Sequence, residues 1–274
     1  MHKIASQTAL NLLISASITP IFAGEMGALS TITSGFYAGI GSGWDHTDET
    51  FNSTTRTSTM KTAYDHYTAN QNRLAPIAQL GYWAPLHEKW LWGIAAQWNY
   101  LGYKTANVNS SRGQYIPNAS FSSINIFGPD VLRDFSSQTR ANNEVRLLAY
   151  FGEQFKNSHA YLGLGPTLFT ASNSVYVSSV HVGGGDTLIS SSVKDSQTLW
   201  GAAAQLGYNY YLNATYFINF SYTYAQSGTY HFKNSANTAL LNGATTQGPT
   251  TVNLNRKISL VDQSIMVSIN KTWG

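Results

Sequence analysis

The segment Trp90-Leu91-Trp92-Gly93-Ile94-Ala95-Ala96-Gln97-Trp98-Asn99-Tyr100 is bulky or apolar at every second residue. Side chains of a strand point alternately to its two faces, so Trp90, Trp92, Ile94, Ala96, Trp98 and Tyr100 share one face, while Gly93, Ala95, Gln97 and Asn99 share the other. One face is oily and bounded by aromatics; the other is small and polar. Such a strand suits lipid outside and a polar interior inside, with Trp and Tyr at the membrane–water boundaries. The pattern recurs in eight segments of the chain.

Composition narrows the setting. Charged residues make up 11% of the 274 and aromatics 13%, against roughly 25% charged in soluble domains. After the first 23 positions no apolar run reaches the about 18–20 residues of a membrane helix, so a membrane-spanning chain of this kind is a barrel. The net charge of +3 is scattered without a basic stripe, which gives no footprint for a nucleic-acid partner. With no cysteine, disulfides, thiolate catalysis and Cys-based metal sites are absent.

Residues 1–23 open on Met1-His2-Lys3, continue through a mostly apolar centre and end Pro20-Ile21-Phe22-Ala23. A basic start, a short apolar centre and a small residue at the cut match a secretory signal peptide. An N-terminal helix of the mature fold is the competing reading. Residues 24–34 follow as a periplasmic lead-in, and 35–274 form the barrel domain.

Strict alternation places strands at 35–45, 73–84, 89–103, 141–152, 159–169, 198–212, 215–225 and 258–273. Each is long enough to cross a bilayer at the tilt of a barrel, which takes about 9–11 residues, and eight is an even number, as single-chain bacterial barrels have. The connections after the second, fourth and sixth strands are short; the other four are polar and several times longer. This is the asymmetry of outer-membrane barrels, with periplasmic turns and extracellular loops, and it sets both termini in the periplasm. Within one long loop, 175–182 and 187–193 flank Gly183-Gly184-Gly185-Asp186 and read as a hairpin that extends its two strands. A ten-stranded barrel that includes the hairpin is the competing count, disfavoured by the many serines it would turn toward lipid.

The opening Gly35-Phe36-Tyr37-Ala38-Gly39-Ile40-Gly41-Ser42-Gly43 and the closing Ile265, Val267, Ile269 and Trp273 at every second position resemble the eight-stranded OmpA-like and opacity-protein-like outer-membrane barrels, a porin-like β-barrel family. The resemblance covers 35–273. It implies an all-β, closed antiparallel transmembrane barrel whose C-terminal strand is read by the outer-membrane assembly machinery. Lys271 in the outward phase and Gly274 after the aromatic depart from the family's ending.

The candidate interior residues are polar ones in the inward phase: Gln79, Gln97, Glu144, Arg146, Gln205 and Asp262. As a functional set they would gate a conduction path. As a structural set the charges pair because burying them alone is costly, and the interior of an eight-stranded barrel is only wide enough for side chains to fill. The structural reading is favoured. Trp90, Trp92, Trp98, Tyr100, Trp200, Tyr216, Tyr222 and Trp273 are the lipid-facing aromatics.

Gly39, Gly41 and Gly43 lack the spacing of a phosphate loop and read as small interior residues. The seven histidines show no metal-ligand spacing, and no cofactor is implied. Some eight-stranded barrels are lipid-modifying enzymes with Ser, His and an acid near the rim, but no spacing here singles out a nucleophile. Loop aromatics such as Phe51, Tyr64, Tyr67, Tyr115, Phe121 and Phe127 suggest contact surfaces for an extracellular ligand or host surface. The expected role is surface-structural or adhesive and non-enzymatic. A narrow pore for small solutes is the alternative, followed by the lipid-modifying enzyme.

Overall fold

The structure is a computed structural model that describes residues 34–57, 63–87, 89–105, 108–110, 131–181, 189–242 and 245–273. Residues 1–23, read as a signal peptide, and 24–33, read as part of a lead-in, lie outside the described residues, as do Tyr115, Phe121 and Phe127.

Strand segments in chain order are β1 (Gly35–Thr57), β2 (Ala63–His87), β3 (Trp90–Asn99), β4 (Tyr103–Lys104), β5 (Val108–Ser110), β6 (Val131–Phe155), β7 (Ser158–His181), β8 (Ile189–Tyr211), β9 (Tyr216–Ser227), β10 (Tyr230–Asn242) and β11 (Thr245–Trp273). The ladder runs β1-β2-β3-β6-β7-β8-β9-β11. It returns to its start because β11 pairs antiparallel with β1 from Phe36↔Trp273 to Thr57↔Val252. Eight positions therefore make an antiparallel ring. The remaining segments are continuations: β4 and β5 carry β3 onward along β6, and β10 carries β9 onward along β11.

All eight segments read from alternation lie on ring strands, overrunning them by at most a few residues as at Lys89, Leu212 and Thr215, and the larger differences are at the end away from the short turns. Strands as long as the 29 residues of β11 far exceed the about 9–11 that cross a membrane. Much of what reads as long loop is continued ladder. Alternation of oily and polar residues marks only the part of a strand that meets lipid; beyond it, Thr, Ser and Asn serve either face and the signal fades while backbone pairing persists. The two runs of the expected hairpin pair, Val175↔Val193 to Ser179↔Ile189 continuing the β7–β8 ladder without adding a ring position, while the Gly183-Gly184-Gly185-Asp186 turn lies outside the described residues. The third strand breaks earlier than its alternation suggests. Gly102 takes φ +49°, a conformation that glycine adopts without steric cost, and pairing resumes at Tyr103.

Burial follows the two-residue period around the ring. In β1, Tyr37 is 4% exposed and Ile40 70%. Phe36, Ile40, Trp44, Leu74, Leu80, Ile94, Leu147, Leu162, Leu164, Leu206, Ile265 and Ile269 all stand on the outside. A contiguous apolar surface of this extent is unsuited to water and is the lipid band of a transmembrane barrel.

Candidate functional site: a layered interior

Four layers of side chains fill the ring, starting at the end that carries the short turns. The first is aromatic. Trp83 of β2 stacks on Tyr150 of β6 at 5.1 Å between ring centroids, with His159 at 4.6 Å, Tyr161 at 5.4 Å and Tyr37 at 6.2 Å. Phe217 joins Tyr37 at 5.5 Å and Tyr211 at 5.3 Å. Glycines on neighbouring strands make room for these rings. A Cβ at Gly81 would stand 2.5 Å from the Tyr37 ring, and Gly207 faces Tyr161 in the same manner. His159 is buried here, its Nε2 2.7 Å from Asn209 Nδ2 and its Nδ1 3.3 Å from the Tyr211 hydroxyl.

The second layer is amide-rich and crosses the ring. Gln79 Nε2 donates to Asn270 Oδ1 at 2.6 Å and Ser268 Oγ at 2.9 Å. Gln97 Nε2 lies 3.1 Å from both Gln79 Oε1 and Gln205 Oε1. Gln205 Nε2 reaches Thr223 Oγ1 at 3.0 Å, and the Tyr150 hydroxyl donates to Gln205 Oε1 at 2.6 Å. A single connected path thus links β11, β2, β3, β8 and β9.

Charge occupies the third layer. Arg146 Nε donates to Glu144 Oε1 at 2.7 Å and Nη2 to Glu144 Oε2 at 2.6 Å, a bidentate pair. Nη2 also reaches Asp262 Oδ2 at 2.8 Å. Thr167 Oγ1 donates to Glu144 Oε1 at 2.8 Å and Thr47 Oγ1 to Asp262 Oδ1 at 3.0 Å. These are the conditions under which buried charges are tolerated: each is paired, and the remaining lone pairs are hydrogen-bonded. Beside this cluster Asn99 Nδ2 donates to Asp45 Oδ2 at 3.1 Å.

A fourth layer lies beyond the lipid band. Glu49 accepts from the Thr139 hydroxyl at 2.7 Å and the Tyr103 hydroxyl at 3.0 Å. Thr139 Oγ1 accepts from Asn173 Nδ2 at 3.2 Å, and the Arg256 guanidinium sits 5.1 Å over the Phe51 ring. Burial raises the Glu49 pKa, opposed by the two hydroxyl donors and by the nearby Arg256 charge.

All six interior candidates named from the sequence are buried in these layers: Gln79, Gln97 and Gln205 in the second, Glu144, Arg146 and Asp262 in the third. The eight aromatic candidates are on the outer face. Trp90, Trp92, Trp98, Tyr100, Trp200, Tyr216 and Trp273 are exposed, and Tyr222 is half-buried with its hydroxyl on Gln263 Oε1 at 3.0 Å. Lys271 reaches over the Trp273 ring, 5.4 Å from its centroid.

Sequence reasoning missed the aromatic layer and the Glu49 cluster. The phase that put Gln79 and Gly81 inside also puts Trp83 there, so that signal was present. Glu49 lay beyond the segment read as strand. Phe51, read as a loop contact residue, is 3% exposed and packs inside the extended ring. Its position follows from β1 continuing past Asp45 in unbroken alternation. Of the histidines, His46 Nδ1 binds Asn72 Oδ1 at 2.6 Å and His66 Nδ1 binds Asn52 Oδ1 at 2.7 Å on the neighbouring strand.

No family model and no curated protein matches the chain. Among solved structures, it is similar to Ail, the attachment invasion locus protein of Yersinia pestis, at 11% identity and a TM-score of 0.31, covering 81% of this chain and 98% of that one. The outer membrane protein OprG of Pseudomonas aeruginosa aligns at 14% identity and a TM-score of 0.42, covering 89% and 99%. The N-terminal β-barrel domain of Pseudomonas aeruginosa OprF aligns at 8% and 0.31, covering 84% and 97%. Likeness at these identities concerns fold alone, and the fold assignment rests on the strand pairings of this chain.

Proposed function

We propose that the chain is a bacterial outer-membrane β-barrel whose role is surface-structural or adhesive: a rigid, filled scaffold that carries its long strand extensions outside the cell. The observation that carries this reading is the continuous stack inside the ring, from the Trp83 aromatic layer through Gln97 and Arg146 to Glu49. A gate needs a mobile element in an otherwise open path; a scaffold needs only a packed interior. The short turns, as in outer-membrane barrels generally, face the periplasm, and both termini with them. Outer-membrane lipid is then the partner of the wall, the assembly machinery that of β11, and an extracellular ligand or host surface that of the extensions.

The test is electrical and binding-based. The folded full chain in planar bilayers should show no stable open channel, and a steady unitary conductance would overturn the scaffold reading in favour of a narrow pore. Cells that carry the chain should bind host-surface preparations through the extensions. Variants shortened between β7 and β8 or between β10 and β11 that keep full binding remove the adhesive role.

A further inference from the structure

Lys104 of β4 and Arg140 of β6 are Cα partners in the ladder, and both side chains are exposed on the outer face. Like charges directly opposite one another on a sheet repel. Ordinarily a carboxylate next door relieves this. Here the ion pairs recorded among the described residues are those of His46 with Asp48 and of Arg146 with Glu144 and Asp262, so no described carboxylate lies within 4.0 Å of either cation. Arg140 Nε is held by Gln138 Oε1 at 2.8 Å, and its terminal nitrogens have no partner among the described residues. Gln71 Oε1 accepts the Lys104 backbone N–H at 3.0 Å, leaving Nζ unengaged by described residues.

The pair also has a definite depth. Among the described residues, Trp98 and Tyr100 are the last outward aromatics of this part of the wall, with ring centroids 6.4 Å apart, and Trp98 Nε1 donates to Asn143 Oδ1 at 3.2 Å. A third cation, Arg73, sits 5.5 Å over the Tyr100 ring and donates to the Gly102 carbonyl. Aromatics of this kind mark the boundary of the acyl region. Lys104 and Arg140 follow immediately beyond it, at headgroup level.

We propose that Lys104 and Arg140 form a binding site for a lipid headgroup phosphate at the rim opposite the short turns, with Arg73 at its edge. A forked guanidinium takes two oxygens of one phosphate side by side, the ammonium supplies a point charge to the third, and the bound anion relieves the cation–cation repulsion. The inference rests on the membrane-spanning reading proposed above, whose orientation makes the lipid a phosphorylated one of the outer leaflet. A free phosphate shares the chemistry.

The test uses the full chain folded in zwitterionic micelles, with its thermal midpoint followed during titration with diphosphoryl lipid A, phosphatidylcholine and inorganic phosphate. A ligand that binds only the folded state raises the midpoint. Diphosphoryl lipid A should raise it, and the Lys104→Gln/Arg140→Gln double variant should need at least about tenfold more lipid for the same rise. Without lipid, the double variant should be at least as stable as the parent, because removal of like charges costs the free fold nothing; this shows that it folds. An equal rise in parent and variant overturns the site. An equal rise with inorganic phosphate overturns the lipid assignment in favour of the free anion. A conducting barrel that still shows the lipid A rise defeats the scaffold reading and leaves this one standing.

Discussion

Arg146 of β6 and Asp262 of β11 meet across the inside of the ring, Nη2 2.8 Å from Oδ2, although 116 positions separate them in the chain. Glu144 takes the Nε and Nη2 edge of the same guanidinium. Removing the cation leaves two buried carboxylates without compensation. Arg146→Met should therefore cost about 3–5 kcal/mol of unfolding free energy. Replacing all three by apolar residues of similar volume should recover most of it. Urea unfolding in lipid vesicles measures both.

The aromatic layer depends on absent side chains. Gly81→Ala puts a methyl group 2.5 Å from the Tyr37 ring, and overpacking of this kind costs about 1–3 kcal/mol. Tyr37→Leu should relieve the clash, so a double-mutant cycle should show coupling between the two positions. Additive effects would show that the ring and the glycine do not share the space.

Outer-wall substitutions should report depth. Leu206, in the middle of the exposed row of β8, replaced by Arg should cost about 2–4 kcal/mol, and Tyr224→Arg near the rim about 0–1 kcal/mol. Unfolding titrations in vesicles give the comparison, and equal costs would place the two residues at one depth.

Glu49 predicts a pH dependence. Burial raises its folded pKa above the ordinary carboxylate range, so the folded state holds the proton more tightly than the unfolded one. This contribution is fully present below the unfolded pKa and is lost as pH rises through the folded value. Glu49→Gln should remove that slope. Thermal midpoints of parent and variant in micelles, compared between mildly acidic and neutral pH, should converge in their pH dependence if another group is responsible, and diverge if Glu49 is.

The wall of this protein was legible because its signal is local. Trp90 to Tyr100 declare inside and outside by a two-residue period, and the same period places Trp83 and Arg146 inward. The extensions were less legible: the sequence of β10 and the first half of β11 has Ser, Thr and Asn in both phases of the two-residue period, so nothing in composition separates ladder from loop. Gly183-Gly184-Gly185 betrayed one hairpin because a turn signal lay between β-rich runs.

Sequence alone thus determined which side chains enter the ring, since strand alternation depends only on neighbours along the chain. It did not determine that Gln97 would bond Gln205, or that Arg146 would choose Asp262. Those partners are set by ring closure and by the register of each ladder. Only when β11 pairs with β1 do residues from distant strands share a layer, and only then is the interior filled or open.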